Sequence, residues 1–99
     1  MTRNFKLTPV AKEDLRSIWI YSFQNWGEAQ ADKYVTEIYN RFEWLADNPQ
    51  IGKQRDDVEQ GYFCFMQGSH LIFYICEGAD IHIIGVLHKS MDVLNYFDS

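Results

Sequence analysis

Between residues 61 and 87 this chain has no lysine and no arginine, and over its whole length 14 acidic side chains outnumber 9 basic ones, giving a net charge of −5. A protein held to nucleic acid mainly by phosphate contacts needs the opposite balance, which argues against that class. Cysteine is scarce. Cys64 and Cys76 stand inside apolar runs without the C-x-x-C spacing of zinc or redox motifs, and two buried, reduced thiols are expected rather than a disulfide. No apolar run approaches the length of a membrane span. The first residues, Met1-Thr-Arg-Asn-Phe-Lys-Leu-Thr8, lack the apolar core of a secretion signal, so a cytoplasmic location is expected. What is plentiful is aromatic: 16% of the 99 positions, within an ordinary hydrophobic share of 46%. A chain of this length is expected to form one domain, residues 1–99, and to bury only about two-thirds of its unfolded surface. Large aromatic side chains then matter to core and interfaces alike.

Asn4-Phe-Lys-Leu-Thr8 alternates polar and apolar residues and suits a short strand. Thr8-Pro9 has the form of a helix start, a threonine N-cap with proline at the first helical position, and Glu13 and Asp14 follow near the positive end of the helix dipole. Ala11, Leu15, Ile18, Trp19, Ser22 and Trp26 then fall on one stripe. Gly27 interrupts it. From Glu28 a second stripe carries Ala31, Tyr34, Val35, Ile38, Phe42 and Leu45, and it ends at Asp47-Asn48-Pro49, where proline forbids continuation. So short a connection predicts an antiparallel helix hairpin. Residues 50–60, polar and of mixed charge, predict an exposed loop. Strands are predicted over 61–67, 70–77 and 80–88, with turns at Gly68-Ser69 and Glu77-Gly-Ala-Asp80. That register sets Cys64 opposite Phe73 rather than Cys76. The tail, residues 90–99, predicts a helical turn or coil. The order is β-α-α-β-β-β, an α+β domain whose N-terminal strand and helix hairpin pack on an antiparallel sheet.

An antiparallel sheet with helices on one side normally alternates apolar-in and polar-out. Here both faces are apolar: Leu71, Phe73 and Ile75 against Ile72, Tyr74 and Cys76, then Ile81, Ile83 and Leu87 against Ile84 and Val86. One helix hairpin covers one face. The other requires the tail (Val93, Leu94, Tyr96, Phe97), a second copy, or a partner chain.

Several segments in order now resemble a known family. They are Ala11-Lys-Glu-Asp-Leu-Arg-Ser-Ile-Trp19, the Trp26-Gly27 step, Leu45-Ala-Asp-Asn-Pro49 with Ile51-Gly52, Gly61-Tyr62, Gly68-Ser-His-Leu-Ile-Phe-Tyr74 and Leu87-His-Lys-Ser-Met-Asp92. Together, over residues 7 to 92, they resemble the ParE toxins of the RelE/ParE superfamily, whose fold has the same element order. The resemblance implies the toxin of a type II toxin–antitoxin system, a non-catalytic inhibitor that usually traps the cleaved-DNA intermediate of DNA gyrase. It implies a cognate antitoxin that folds on the toxin, laying a helix across an apolar groove and an extended piece along the sheet. Contact with DNA is then indirect, through the antitoxin, and the complex is a hetero-oligomer. Candidate antitoxin contacts are Tyr62, Phe63, Phe65, Ile72, Tyr74, His88, Lys89, Met91 and Asp92. Candidate target contacts are Lys12, Arg16, Lys53 and Arg55. No cofactor or metal is expected. At Phe63 and Cys64 the chain departs from the family, where a basic residue after Gly-Tyr is frequent.

The superfamily's other branch, resembling RelE and YoeB, cleaves mRNA on the ribosome. That chemistry needs cations around the scissile phosphate and a base for the 2′-hydroxyl. The corresponding strand positions here are Phe63, Cys64, Phe65, Gln67 and His70. His88 is the surviving candidate for a catalytic base, with Lys89 beside it, and its plain alternative is a hydrogen-bonded residue anchoring the Met91-Asp92 turn. His70 is expected to bond its own loop, and His82 to be exposed between core isoleucines. No two histidines have metal-ligand spacing. The balance favours a binding face over a catalytic one, with an mRNA endonuclease, or a relative whose target has changed or been lost, as the alternatives.

Overall fold

Thr8 caps the first helix as its sequence predicts. Its side-chain oxygen accepts the Ala11 N–H at 3.1 Å and donates to the Ile83 carbonyl at 3.1 Å, which ties the helix start to the sheet. The computed structural model describes residues 4–97; residues 1–3, and residues 98 and 99 of the predicted tail, lie outside the described residues. The elements are β1 (Phe5–Leu7), α1 (Pro9–Trp26), α2 (Glu28–Asp47), β2 (Lys53–Gln54), β3 (Phe63–Gln67), β4 (His70–Glu77), β5 (Asp80–His88) and α3 (Val93–Phe97). Gly27 alone connects α1 to α2, at φ 90°, a conformation that favours glycine. The five strands lie in the order β1-β5-β4-β3-β2, with β1 parallel to β5 and the other pairs antiparallel. The loop expected over residues 50–60 therefore contains a strand, β2, which pairs with Cys64 and Phe63. Two exposed polar residues carry no periodicity by which a strand is read.

Gly68 at φ 60° leads a two-residue turn between Gln67 and His70, and Gly78 at φ 62° leads another between Glu77 and Asp80, both as expected. Cys64 does face Phe73. Cys64 is buried, whereas Cys76 lies at the exposed end of β4, against the expectation of two buried thiols.

The two apolar faces exist, but a β-bulge changes who is on them. Phe73 pairs with Gly85 and Tyr74 with Ile83, so Ile84 is the extra residue. Beyond it the strand's alternation is shifted: Val86 joins Ile81 and Ile83 under the helices, and Leu87 joins Ile84 on the opposite face. The helix-side core combines Ala11, Leu15, Ile18, Ile38, Phe42 and Leu45 with Ile72, Tyr74, Ile81, Ile83 and Val86. The opposite face is covered from within the chain. Val93, Tyr96 and Phe97 of the tail, with Val58 and Tyr62, close over Cys64, Phe73 and Leu87. Trp26, placed on the buried stripe by its spacing, is instead 64% exposed, because α1 runs past the edge of the core there.

Tyr74 shows how the core orders a loop. Its hydroxyl accepts the Gly52 N–H and donates to the Pro49 carbonyl, both at 3.0 Å, and burial pushes its pKa up to about 12. A Cβ at Gly52 would collide with that hydroxyl. Tyr74→Phe is expected to cost about 1–3 kcal/mol, because it strands a donor and an acceptor in a site closed to water. Urea denaturation against wild type measures it, and a loss below about 0.5 kcal/mol would mean water replaces the hydroxyl freely.

Candidate interaction groove

Beside the buried stripe of α1 runs a second row, Asp14, Ser17 and Tyr21, at spacings of three and four. On α2, Gln30 and Tyr34 form the matching row one turn apart. The two rows face each other across a groove of about 920 Å³, floored by Ile18, Ser22 and Val86 and closed at one end by Ser69, His70, His88 and Met91. Trp26 and Tyr21, 64% and 60% exposed, stand at its rim with their rings 5.9 Å apart, edge to face. A floor apolar except for Ser22, an aromatic rim and a few fixed polar groups suit a docked peptide segment.

The polar end is tightly organised. Tyr34 Oη accepts the Ser69 N–H at 3.1 Å and lies 2.6 Å from His70 Nδ1. Tyr34 reaches that position because Gly68 has no side chain; a Cβ there would sit 2.8 Å from the hydroxyl. His70 and His88 are cross-strand neighbours, with rings 5.3 Å apart and nearly perpendicular. Burial and the adjacent His88 depress the His70 pKa from 6.5 to about 4, so it is neutral at physiological pH. Asp14 is engaged elsewhere than at the helix dipole: it accepts the Val86 N–H at 2.9 Å and the Tyr96 hydroxyl at 2.5 Å.

The sequence candidates are dispersed. His88 and Met91 line the groove. Tyr62 and Asp92 belong to a smaller polar cleft beside the tail, with Val58 and Glu59. Phe63 and Phe65 are half-buried under the helix face, Phe63 stacked on Tyr74 and Phe65 against Trp44. Ile72 and Tyr74 are fully enclosed in the core, so neither offers surface to a partner; the helix hairpin covers the face on which the sequence put them. Lys89 is exposed. Lys12 and Arg16 are exposed on α1, which packs over β1 and β5, whereas Lys53 lies on β2 at the other edge of the sheet. The two basic pairs therefore flank the sheet instead of forming one patch. Arg55 is committed, bonding both oxygens of Asp57 at 2.9 and 3.0 Å and lying over the Phe73 ring. His82 is half-buried beside Glu77 at 3.5 Å.

Sequence reasoning missed Tyr21, Trp26, Tyr34 and His70 as site residues. It also missed Arg41, which reaches from α2 to Gln67 at 2.8 Å and lies over the adjoining rings of Trp44 and Phe65. The paired rows on α1 and α2 were the available signal for the groove.

A helix hairpin laid on a mixed sheet, with an open groove between hairpin and strand ends, is the RelE/ParE toxin fold. The chain belongs to the ParE toxin family of type II toxin–antitoxin (parDE) systems, whose family model matches residues 5–93. It is 36% identical over 94 residues to Toxin ParE1 of Mycobacterium tuberculosis, covering 94% of this chain and 96% of that one. It is 40% identical over 88 residues to Toxin ParE1 of Caulobacter vibrioides, covering 89% and 91%. Among solved structures it resembles the chromosomal ParDE system of P. aeruginosa, with a TM-score of 0.75 at 20% identity over 88% of this chain and 96% of that one. The YoeB dimer of Staphylococcus aureus shares the fold at a TM-score of 0.60 and 21% identity, over 89% and 98%. Among the described residues no helix is long and apolar enough to cross a membrane.

Proposed function

We propose that this ParE-type toxin is a non-catalytic, cytoplasmic inhibitor of DNA gyrase, held inactive by a cognate antitoxin that lays an amphipathic segment in the groove between α1, α2 and the ends of β4 and β5. The observation that carries the non-catalytic reading is the composition of that groove: no lysine or arginine is among its described lining residues. A doubly charged phosphoryl transition state would find no cation there. The antitoxin reading is supported by the family and by the exposed aromatic rim, a kind of surface that marks interaction sites. The antitoxin contact set on this reading keeps His88 and Met91 and adds Tyr21, Trp26 and Tyr34. Target contact is assigned to the surfaces that a groove-bound antitoxin leaves open, with Lys12, Arg16 and Lys53 as their exposed cations.

A second reading, cleavage of mRNA, has one observation in its favour: two imidazoles and a tyrosine lie together at the groove end. His88→Ala separates the two. As a gyrase inhibitor the variant is expected to keep full toxicity while its neutralisation by antitoxin weakens. As a nuclease it would lose toxicity by about 100-fold or more with folding intact. The direct test is a supercoiling and DNA-cleavage assay with gyrase and purified toxin. Accumulated cleaved DNA, abolished by adding antitoxin, is the expected result. Folded toxin without effect on gyrase would overturn this target.

A further inference from the structure

We propose that His70 and His88 form a carboxylate-binding site in the groove wall, filled in the complex by one aspartate or glutamate of the docked antitoxin segment. This inference rests on the antitoxin reading above and names the chemistry of its polar end.

The tautomers carry the argument. At His88 the Ser90 backbone N–H lies 3.2 Å from Nδ1, and the Ser90 hydroxyl lies 2.7 Å from the same nitrogen. An amide N–H only donates, so Nδ1 must be the acceptor and the proton of the neutral ring sits on Nε2. At His70 the Tyr34 hydroxyl oxygen accepts from Ser69, and among the described residues His70 Nδ1, 2.6 Å away, is the acceptor within reach of the Tyr34 hydrogen. The His70 proton is again on Nε2. His88 is therefore held as an Nε2–H donor by a backbone amide, and His70 takes the same tautomer with Tyr34 as its donor.

Neither Nε2 has a hydrogen-bond partner among the described residues, and no buried side-chain nitrogen or oxygen among them is unsatisfied. His70 Nε2 thus opens to solvent, His88 is itself an exposed residue, and both line the groove. They stand on the same sheet face at one cross-strand position. Two N–H donors at one cross-strand position, on rings whose centroids are 5.3 Å apart and whose planes are nearly perpendicular, are within reach of a single carboxylate. Other ligands fit less well. A metal ion at Nε2 would need the lone pair there and would drive the proton to Nδ1, against the Ser90 amide. A phosphate would bring about twice the charge of a carboxylate and a third acceptor oxygen, with two donors and no lysine or arginine among the described lining residues to meet them. The one carboxylate facing the groove, Asp14, is taken up by Val86 and Tyr96 and does not occupy the donors.

The first arm of the test needs no partner. Nitrogen-resolved NMR of the histidine rings in the free toxin, at about pH 8, is expected to show the Nε2–H tautomer at His70 and His88. An Nδ1–H tautomer at His88 overturns the proposal. The second arm uses the complex with its cognate antitoxin. In His88→Gln the amide nitrogen falls near the position of Nε2, whereas in His88→Asn it falls near Nδ1. The Asn variant is expected to bind antitoxin about tenfold or more weakly, the loss of one charge-assisted hydrogen bond, and the Gln variant to stay within about threefold of wild type. One acidic residue of the antitoxin, changed to its amide, should show no further loss when combined with His88→Asn. Thermal melting of each variant checks the fold. Equal binding by both variants, or losses that add for every acidic residue, overturns the carboxylate site and leaves the antitoxin reading standing. A wild-type toxin that does not bind the antitoxin overturns both.

Discussion

Asp14→Ala is expected to destabilise the chain by about 3 kcal/mol, more than any other surface-facing carboxylate, because it strands a backbone amide and a tyrosine hydroxyl at once. The reason lies in the length of β1. That strand pairs with Ile81, His82 and Ile83 and ends at Leu7, so the same edge of β5 has no strand neighbour beyond that point. Asp14, reaching down from α1, takes the Val86 N–H that a longer β1 would have bonded. Tyr96 comes round the same edge from the other face and gives its hydroxyl proton to the same carboxylate oxygen. It can do so because Gly85 has no side chain: a Cβ there would sit 3.2 Å from the tyrosine ring. One carboxylate therefore joins helix, sheet and tail. Burial, with the carboxylate beside it, holds the Tyr96 hydroxyl well above the ordinary tyrosine range, so it remains a donor wherever the protein is folded. Removing Asp14 also loosens the tail from Phe73 and Leu87, which adds to the cost. Tyr96→Phe, which removes one of the two bonds and keeps the packing, is expected to cost about 1 kcal/mol. Urea denaturation followed by circular dichroism measures both. An Asp14→Ala variant within about 0.5 kcal/mol of wild type would mean that water satisfies this edge and the latch is incidental.

The same bulge decides how much of the site was legible. Every element except β2 could be read from periodicity and punctuation, because long stripes, a capped helix start and glycine turns are local signals. The bulge at Ile84 was not, although a glycine inside a strand is a warning of one. Its consequence is not local. In an uninterrupted strand residue 88 would point away from residue 81's face, toward the tail; the extra residue turns it back and sets His88 against His70. The groove end is thus assembled by a shift that an alternation rule cannot produce. The sheet faces failed for a different reason. Two apolar faces were correctly read, but three residues of the tail and two of the loop between β2 and β3 suffice to cover the one away from the helices. The surplus apolar surface lies instead on the hairpin, at Ile20, Tyr21, Phe23 and Trp26. On a helix an exposed aromatic next to the core stripe looks like core until the partner element is known to stop short of it.

That surplus leads to the largest effect expected on binding. Trp26→Ala should weaken the complex with antitoxin by about 30-fold, or roughly 2 kcal/mol, and Tyr21→Ala by about tenfold. Both rings are more exposed than buried, and they touch each other at the groove rim. Truncating them costs the free toxin little, within about 0.5 kcal/mol, since almost no core packing is lost. In a complex the same rings would be enclosed between the partner and Ile18 on the floor, where an indole contributes a large apolar area at small entropic cost. Because the rings touch, the double variant should lose less than the sum of the single losses. Trp44 provides the control. It is also partly exposed, but it lies under Arg41 against Phe65 and outside the groove. Trp44→Ala should change antitoxin affinity by less than about threefold, as expected for a residue outside the contact. Titration calorimetry on the three variants decides where the partner lies. A large loss at Trp44 with none at Trp26 would move the antitoxin to the β3 side, onto the Phe63 and Phe65 surface that the strand sequence first suggested. A loss at Trp26 alone ties the partner to the same groove that holds His70 and His88.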